Sequence, residues 1–268
     1  MRTLLLILSI CIMNPVVSQN NTNVKTLVVA HRGGSLLAPE NTLAAFKNAL
    51  SLGVDQIELD VHLSKDNVVV VIHDETLKRT TSGTGSVDAY SYDEFSQFDA
   101  GYKFSEKYKG EKIPSLEQVL ELVDGKAKLL IEIKKSGDKN QDIEKAVVDL
   151  IQKHHAGSWC IVQSFSYESI EKVHKLDASI TLGLLFVKPP SEKIEHGKID
   201  ISFISEINFC HVFAGKRTVE FFHKLNKKVF VWTVNKPEQM QRLINHDVDG
   251  IITDNPAELI KIINNFNQ

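Results

Sequence analysis

The chain has 268 residues, 43% of them hydrophobic and 24% charged, with a formal net charge of −3. That length suits one large domain or two small ones, and the composition is ordinary for a soluble globular chain. No basic stripe runs through it, which argues against nucleic acid as the main partner.

The chain opens on "MRTLLLILSICIMNPVVSQN". One positive charge, a short apolar core and the small residue Ser18 near its end make the pattern of a cleaved secretory signal over residues 1–18. The run is too short for a comfortable membrane span, so no stable span is expected. Export to the periplasm or the medium is the expectation, with a single mature domain over 19–268. Cys11 would leave with the signal; Ile10 before it is not the small residue that lipid attachment needs. Cys160 and Cys210 then remain. Two cysteines are no disulfide framework, and two inert buried thiols are expected ahead of one bridge.

From residue 26 onward strand-like and helix-like segments alternate. "TLVVA" (26–30) is a continuous apolar run. "NTLAAFKNALSLG" (41–53) carries Leu43, Phe46, Ala49 and Leu50 at helical spacing, with Asn41 as its expected cap and Gly53 as a stop. "QIELDVHL" (56–63) and "VVVVIH" (68–73) read as a hairpin around "SKDN". Residues 75–114 are long, polar and aromatic-rich, and read as an ordered insertion capping one end of the fold. Four strands then alternate with helices: "AKLLIEIK", "WCIVQSF", "ITLGLLFV" and, after a blurred stretch beyond Pro189-Pro190, "SEINFCH". "KVFVWTVN" and "DGIITDN" complete the set, each followed by a helix. Without the 68–73 hairpin arm there are eight strands, mostly apolar on both faces as buried parallel strands are. Eight βα units in this length predict a TIM (β/α)8 barrel. A doubly wound sheet is the alternative, but "HRGGSL" lacks the G-x-G-x-x-G spacing of a dinucleotide site.

Polar residues at strand ends interrupt this pattern, and in a barrel that end carries the chemistry. His31 and Arg32 end the first strand. Glu58, Asp60 and His62 alternate along the second and share one face. His73 and Asp74 end the hairpin arm. Glu132 and Lys134 share a face of the next strand, and Trp232 and Asn235 lie at the end of the seventh, where Trp232 is taken as a wall of the substrate pocket. Glu58 and Asp60 alone fit a solvated strand face as well as a site; Glu132 beside them favours a site. Three carboxylates facing one space repel unless a cation joins them. Their donors are all oxygen, so the expected cofactor is one hard divalent cation, Ca²⁺ or Mg²⁺. His62 is expected to pack or hydrogen-bond. Arg32 and Lys134 suit a phosphate. His31 and His73 form an acid–base pair sufficient to cleave a phosphoester. The other seven histidines fit core or surface roles.

"AHRGGSLLAPENTLAAF", "IELDVHLSKDNVVVVIHDETLKRTTSGTG", "IPSLEQVLELV", "IEIK", "VWTVN" and "DGIITDNP" together resemble the glycerophosphodiester phosphodiesterases, over about residues 26–257. The resemblance implies a TIM barrel with the insertion over its mouth and a divalent metal on Glu58, Asp60 and Glu132. It also implies acid–base histidines at His31 and His73 and phosphate contacts from Arg32 and Lys134. The implied reaction converts small-molecule glycerophosphodiesters to glycerol 3-phosphate and an alcohol. Two rivals are a lysophospholipase D-like enzyme acting on lipids and an inactive binding protein on the same scaffold. No catalytic or metal position is lost, which disfavours the second.

Overall fold

The computed structural model describes residues 26–134 and 142–268, so the expected signal at 1–18 lies outside the described residues. Strands β1 (Leu27–Ala30), β2 (Gln56–Leu63) and β3 (Val69–Val71) open the fold, with helix α1 (Leu43–Leu52) between the first two. Then follow α2 (Leu116–Val123), β4 (Lys128–Ile133), α3 (Ile143–Lys153), β5 (Cys160–Ser164), α4 (Tyr167–Leu176) and β6 (Thr181–Phe186). The chain ends with α5 (Ser191–Glu195), β7 (Glu206–Cys210), α6 (Lys216–Lys224), β8 (Lys228–Trp232), α7 (Pro237–Ile244), β9 (Gly250–Thr253) and α8 (Pro256–Phe266).

Eight of these strands pair in parallel, β1-β9-β8-β7-β6-β5-β4-β2, and β1 also pairs with β2, closing the barrel. The antiparallel β3 hangs on the outside edge of β2. The predicted hairpin arm over 68–73 is therefore shorter than its apolar run. Ile72 still donates its N–H to the Asp60 carbonyl at 3.0 Å, and His73 and Asp74 lie past the ladder. The blurred stretch after Pro190 forms one short helix, α5, before β7.

Period-2 alternation divides the strands between two cores. Val28, Ala30, Ile57, Leu59, Leu129, Ile131 and Val162 belong to the large core shared with the helices. Val29, Leu130, Ile161, Phe230 and Ile252 form a separate cluster that fills the barrel. Phe230 fits there because β9 passes it with a glycine: a Cβ on Gly250 would lie 2.2 Å from the ring. The insertion, residues 75–114, has a core of its own, in which Leu77, Val87, Phe95, Ala100 and Ile113 pack on Val70 and Ile72. It reaches the catalytic end of the barrel at two points. The Tyr108 hydroxyl meets the Leu37 carbonyl at 3.4 Å, and Arg79 meets Glu40. Cys160 and Cys210 are free thiols, and burial pushes the Cys160 thiol up to about 12, which makes it inert.

The interior also holds polar groups besides the strand-end residues. Asn208 donates to Gln163 at 2.7 Å. Glu206, 3% exposed, is pushed up to about 7 by burial, against the opposing pull of Lys228 and Lys128. A carboxyl with a raised folded pKa costs nothing while folded and unfolded states are both protonated, below about pH 4. The penalty grows as pH rises from the ordinary value of 4.5 to the native pKa near 7, and is complete above it. Glu206→Gln is therefore expected to melt later than the parent at about pH 8, by on the order of 3 kcal/mol at about 1.4 kcal/mol per pKa unit. The advantage should vanish at about pH 4. Thermal melts that coincide at the higher pH would refute it.

Candidate active site

The barrel's catalytic end begins where β1 stops. Arg32, Gly33 and Gly34 take φ values of 52°, 83° and 93°, so three consecutive left-handed residues turn the chain out of the strand. Left-handed backbone is uncommon for a side-chain-bearing residue and is held by its surroundings. Here the Arg32 N–H donates to Glu58 Oε2 at 2.9 Å, and its carbonyl accepts the Asn41 N–H at 3.0 Å. The two glycines are explained by packing. A Cβ on Gly33 would lie 2.7 Å from the Ala45 side chain on α1, and one on Gly34 would lie 3.1 Å from Pro256 on α8.

Asn41 does not cap α1. Thr42 does, its hydroxyl accepting the Ala45 N–H, because Asn41 is itself left-handed at φ 56° and faces the barrel. Its side chain instead donates to Asp60 Oδ2 at 2.9 Å.

Glu58 and Asp60 on β2 and Glu132 on β4 are 1%, 1% and 7% exposed, and one ligand oxygen of each lies within 4.8 Å of the other two. Register accounts for this: Asp60 and Glu132 are direct partners across the β2–β4 ladder. Lys134 Nζ stands 2.9 Å from Asp60 Oδ1 and 2.5 Å from Glu132 Oε1, and Arg32 Nε lies 3.4 Å from Asp60 Oδ2. Burial opposes ionisation of all three carboxyls. Lys134 and Arg32 overcome it at Asp60, whose pKa falls well below the usual range. Burial together with the charge of Asp60 pushes Glu58 well up and Glu132 to about 7. Among the described residues, two cations face three buried carboxylates, an imbalance that disfavours full ionisation of the cluster unless further positive charge enters. An all-oxygen donor set with unmet negative charge fits a hard divalent cation.

Two histidines stand beside this cluster, each gripped by a carboxylate. His31 Nδ1 is 2.6 Å from Asp254 Oδ1, which also accepts from the Ser35 hydroxyl at 2.6 Å. Asn235 Nδ2 holds the other Asp254 oxygen at 2.6 Å. His73 Nδ1 is 2.7 Å from Asp74 Oδ1. Asp254 resists its burial through its bonds to His31, Ser35 and Asn235, and Asp74 is drawn down chiefly by Arg79; both sit near 2. Ionised carboxylates only accept, so each Nδ1 carries the proton and each Nε2 is left for the reaction. Burial, with Lys134 and Arg32, holds His73 below the usual histidine value against the pull of Asp60. His62 Nε2 donates to the His73 carbonyl, 3.0 Å away, the hydrogen-bonding role among those expected of it.

These groups border one cavity of about 120 Å³. His31, Arg32, Glu58, His73, Glu132 and Lys134 line its polar side, so the sequence-selected residues do converge; Asp60 lies behind them. Phe165, Leu185 and Trp232 line the other side, with the Phe165 and Trp232 rings edge to face at 5.7 Å. Arg32 and Lys134 are cavity-facing cations as anticipated, but each also neutralises the carboxylate cluster. Asp254, Ser35 and Arg79 were not singled out by sequence reasoning. His154, by contrast, is bonded to Glu117 on the outer surface at 3.1 Å, away from this cavity.

Comparison with known proteins matches residues 31–258 to the model of the glycerophosphoryl diester phosphodiesterase family. A glycerophosphodiester phosphodiesterase of Caldanaerobacter subterraneus subsp. tengcongensis is 42% identical over 246 residues, 89% of this chain and 98% of its own length. One from Bacillus altitudinis is 36% identical over 88% of this chain and 98% of its own. Among solved structures, a phosphodiesterase from Oleispira antarctica in complex with the product sn-glycerol-3-phosphate superposes with a TM-score of 0.81. It is 28% identical over 89% of this chain and 96% of that one.

Proposed function

The chain belongs to the glycerophosphoryl diester phosphodiesterase family, and we propose that it hydrolyses glycerophosphodiesters to glycerol 3-phosphate and an alcohol by histidine acid–base catalysis beside one divalent cation. The observation that carries this reading is the pairing of two carboxylate-gripped histidines with a buried three-carboxylate cluster around one cavity.

Glu58, Asp60 and Glu132 would hold the cation. Bound there, Ca²⁺ or Mg²⁺ supplies Lewis-acid polarisation of a phosphoryl oxygen. Arg32 and Lys134 face the remaining phosphate oxygens and stabilise the charge that builds up as phosphorus becomes five-coordinate. His73, kept neutral by burial, accepts the nucleophile's proton on Nε2. The nucleophile is water, or the substrate's own 2-hydroxyl, which gives a cyclic phosphate that water then opens to glycerol 3-phosphate. His31, entering as an imidazolium with a proton on each ring nitrogen, donates from Nε2 to the departing alcohol oxygen as the phosphorus–oxygen bond breaks. Asp74 holds the His73 ring with Nδ1 protonated and Nε2 free to accept, and Asp254 supports the charged His31 ring through its Nδ1–H.

A panel of glycerophosphodiesters and lysophospholipids, with products identified by mass, tests the reading. Glycerol 3-phosphate from glycerophosphodiesters supports it. Turnover of lysophospholipids alone would move the substrate to lipids, and release of no phosphomonoester from any would overturn it.

Residues 1–18 support export as a further part of this reading. Protein from an export-competent host is expected to begin near Gln19; a cell-retained chain that still begins at Met1 would refute this.

A further inference from the structure

One side chain joins the two halves of the site without bordering the cavity. Arg79, in the insertion, spends its guanidinium on two carboxylates. Its Nε and Nη2 donate to Asp74 Oδ2 and Oδ1 at 2.6 and 3.0 Å, and its Nη1 and Nη2 donate to Glu40 Oε2 and Oε1 at 2.8 and 2.7 Å. Each carboxylate grips one functional residue. Asp74 holds the His73 ring, and Glu40 Oε1 accepts from Arg32 Nη1 at 2.9 Å. An unbroken chain of hydrogen bonds therefore runs His73, Asp74, Arg79, Glu40, Arg32.

We propose that Arg79 is a positioning residue, a clamp from the insertion that fixes the His73 ring through Asp74 and the Arg32 guanidinium through Glu40. This rests on the hydrolytic reading of His73 and Arg32 given above. Without the clamp, Asp74 and Glu40 repel each other across the space Arg79 fills. Asp74 then turns freely about its side-chain bonds, and the His73 ring loses its fixed direction. The Arg79 side chain is 45% exposed, against 16% and 28% for Glu40 and Asp74, and an ion pair open to solvent on its cationic side contributes modestly to stability. The clamp therefore matters to geometry more than to folding. Lysine cannot replace it, because an ammonium has no planar fork to grip two carboxylates bidentately. The clamp also gives the insertion a part in catalysis, since the arm that reaches Glu40 and Asp74 starts there.

The two arms predict separable kinetic effects. Arg79→Lys should lower kcat about tenfold or more through the Asp74 arm, as misdirected proton transfer does. It should raise KM through the Glu40 arm, because Arg32 meets the phosphate. Its melting temperature should stay within a few degrees (~3 °C) of the parent. Kinetics on sn-glycero-3-phosphocholine are measured for Arg79→Lys, Asp74→Asn, Glu40→Gln and the Arg79→Lys/Asp74→Asn pair. In the Asp74→Asn background, Arg79→Lys should cost no further kcat but should still raise KM. Parental kcat in Arg79→Lys, or kcat losses that multiply in the pair, would overturn the proposal. So would a kcat loss that follows only a lowered melting temperature; Arg79→Gln, with two donors left, repeats that comparison if the lysine variant folds poorly. A parent inactive on the diester would instead bring down the functional reading, and the clamp with it.

Discussion

His73→Ala, folded and supplied with metal, is expected to lose about 10²-fold or more in kcat, the usual size of a missing proton-transfer partner. His31→Ala should lose a similar factor. Both rings border the cavity, each is fixed at Nδ1 by a carboxylate, and each leaves Nε2 for the substrate. Melting temperatures should change little, because the rings stand at the barrel's catalytic end and outside its packed interior cluster. Divalent-cation binding should persist, since neither histidine belongs to the carboxylate trio. The double variant should be far less impaired than the product of the two single losses, because residues that act as one unit are not additive. His154→Ala, on the outer surface against Glu117, is the control and should turn over normally. A folded, metal-loaded His73→Ala enzyme working at the parental rate would defeat the assignment.

Exhaustive chelation is expected to abolish turnover altogether. Among the described residues, three carboxylates buried to 7% exposure or less meet Arg32 and Lys134 as cations. Burial and mutual repulsion favour the protonated forms of Glu58 and Glu132, so a divalent ion is expected to displace protons as it binds. Ca²⁺ or Mg²⁺ should restore activity better than Zn²⁺, which prefers nitrogen and sulfur. The same ions should raise the melting temperature of the chelated protein, as any ligand of the native state does. Asp60→Asn should remove both effects. Asn41, Arg32 and Lys134 all converge on Asp60, so this variant also reports on the arrangement around the cluster. Full activity in the presence of excess chelator, with no thermal shift on adding either ion, would sink the metal reading.

The two expectations differ in how far the sequence alone supports them. The carboxylate trio could be read directly. Glu58 and Asp60 are two residues apart on one strand, Glu132 is on the next in the barrel, and alternation turns all three inward. The helices could be read as well, because apolar spacing and stops such as Gly53 act within a few residues. The end of the hairpin was less legible. "VVVVIH" is apolar throughout, yet the ladder stops at Val71, since apolar character does not say where a partner strand leaves. Asn41 misled for a related reason. It has a capping residue's chemistry, but the left-handed turn from Arg32 aims it into the barrel at Asp60, and Thr42 takes the cap.

The sequence by itself determined the barrel, its eight βα units and the inward row of acids, because each follows from a period of two or 3.6 residues along the chain; His31 and His73 were marked by lying just beyond a strand's end. What only the tertiary structure decided is who holds those groups in place. His31 meets Asp254 across 223 residues because β9 closes on β1 with Val29 opposite Ile252 and Ala30 opposite Thr253, which sets the next residue of each strand side by side. Arg79 reaches Glu40 across 39 residues because the insertion folds back to the mouth on its own small core. Such contacts leave no local trace: backbone preference and side-chain periodicity act over a turn or a strand, whereas these pairs exist only once the barrel has closed.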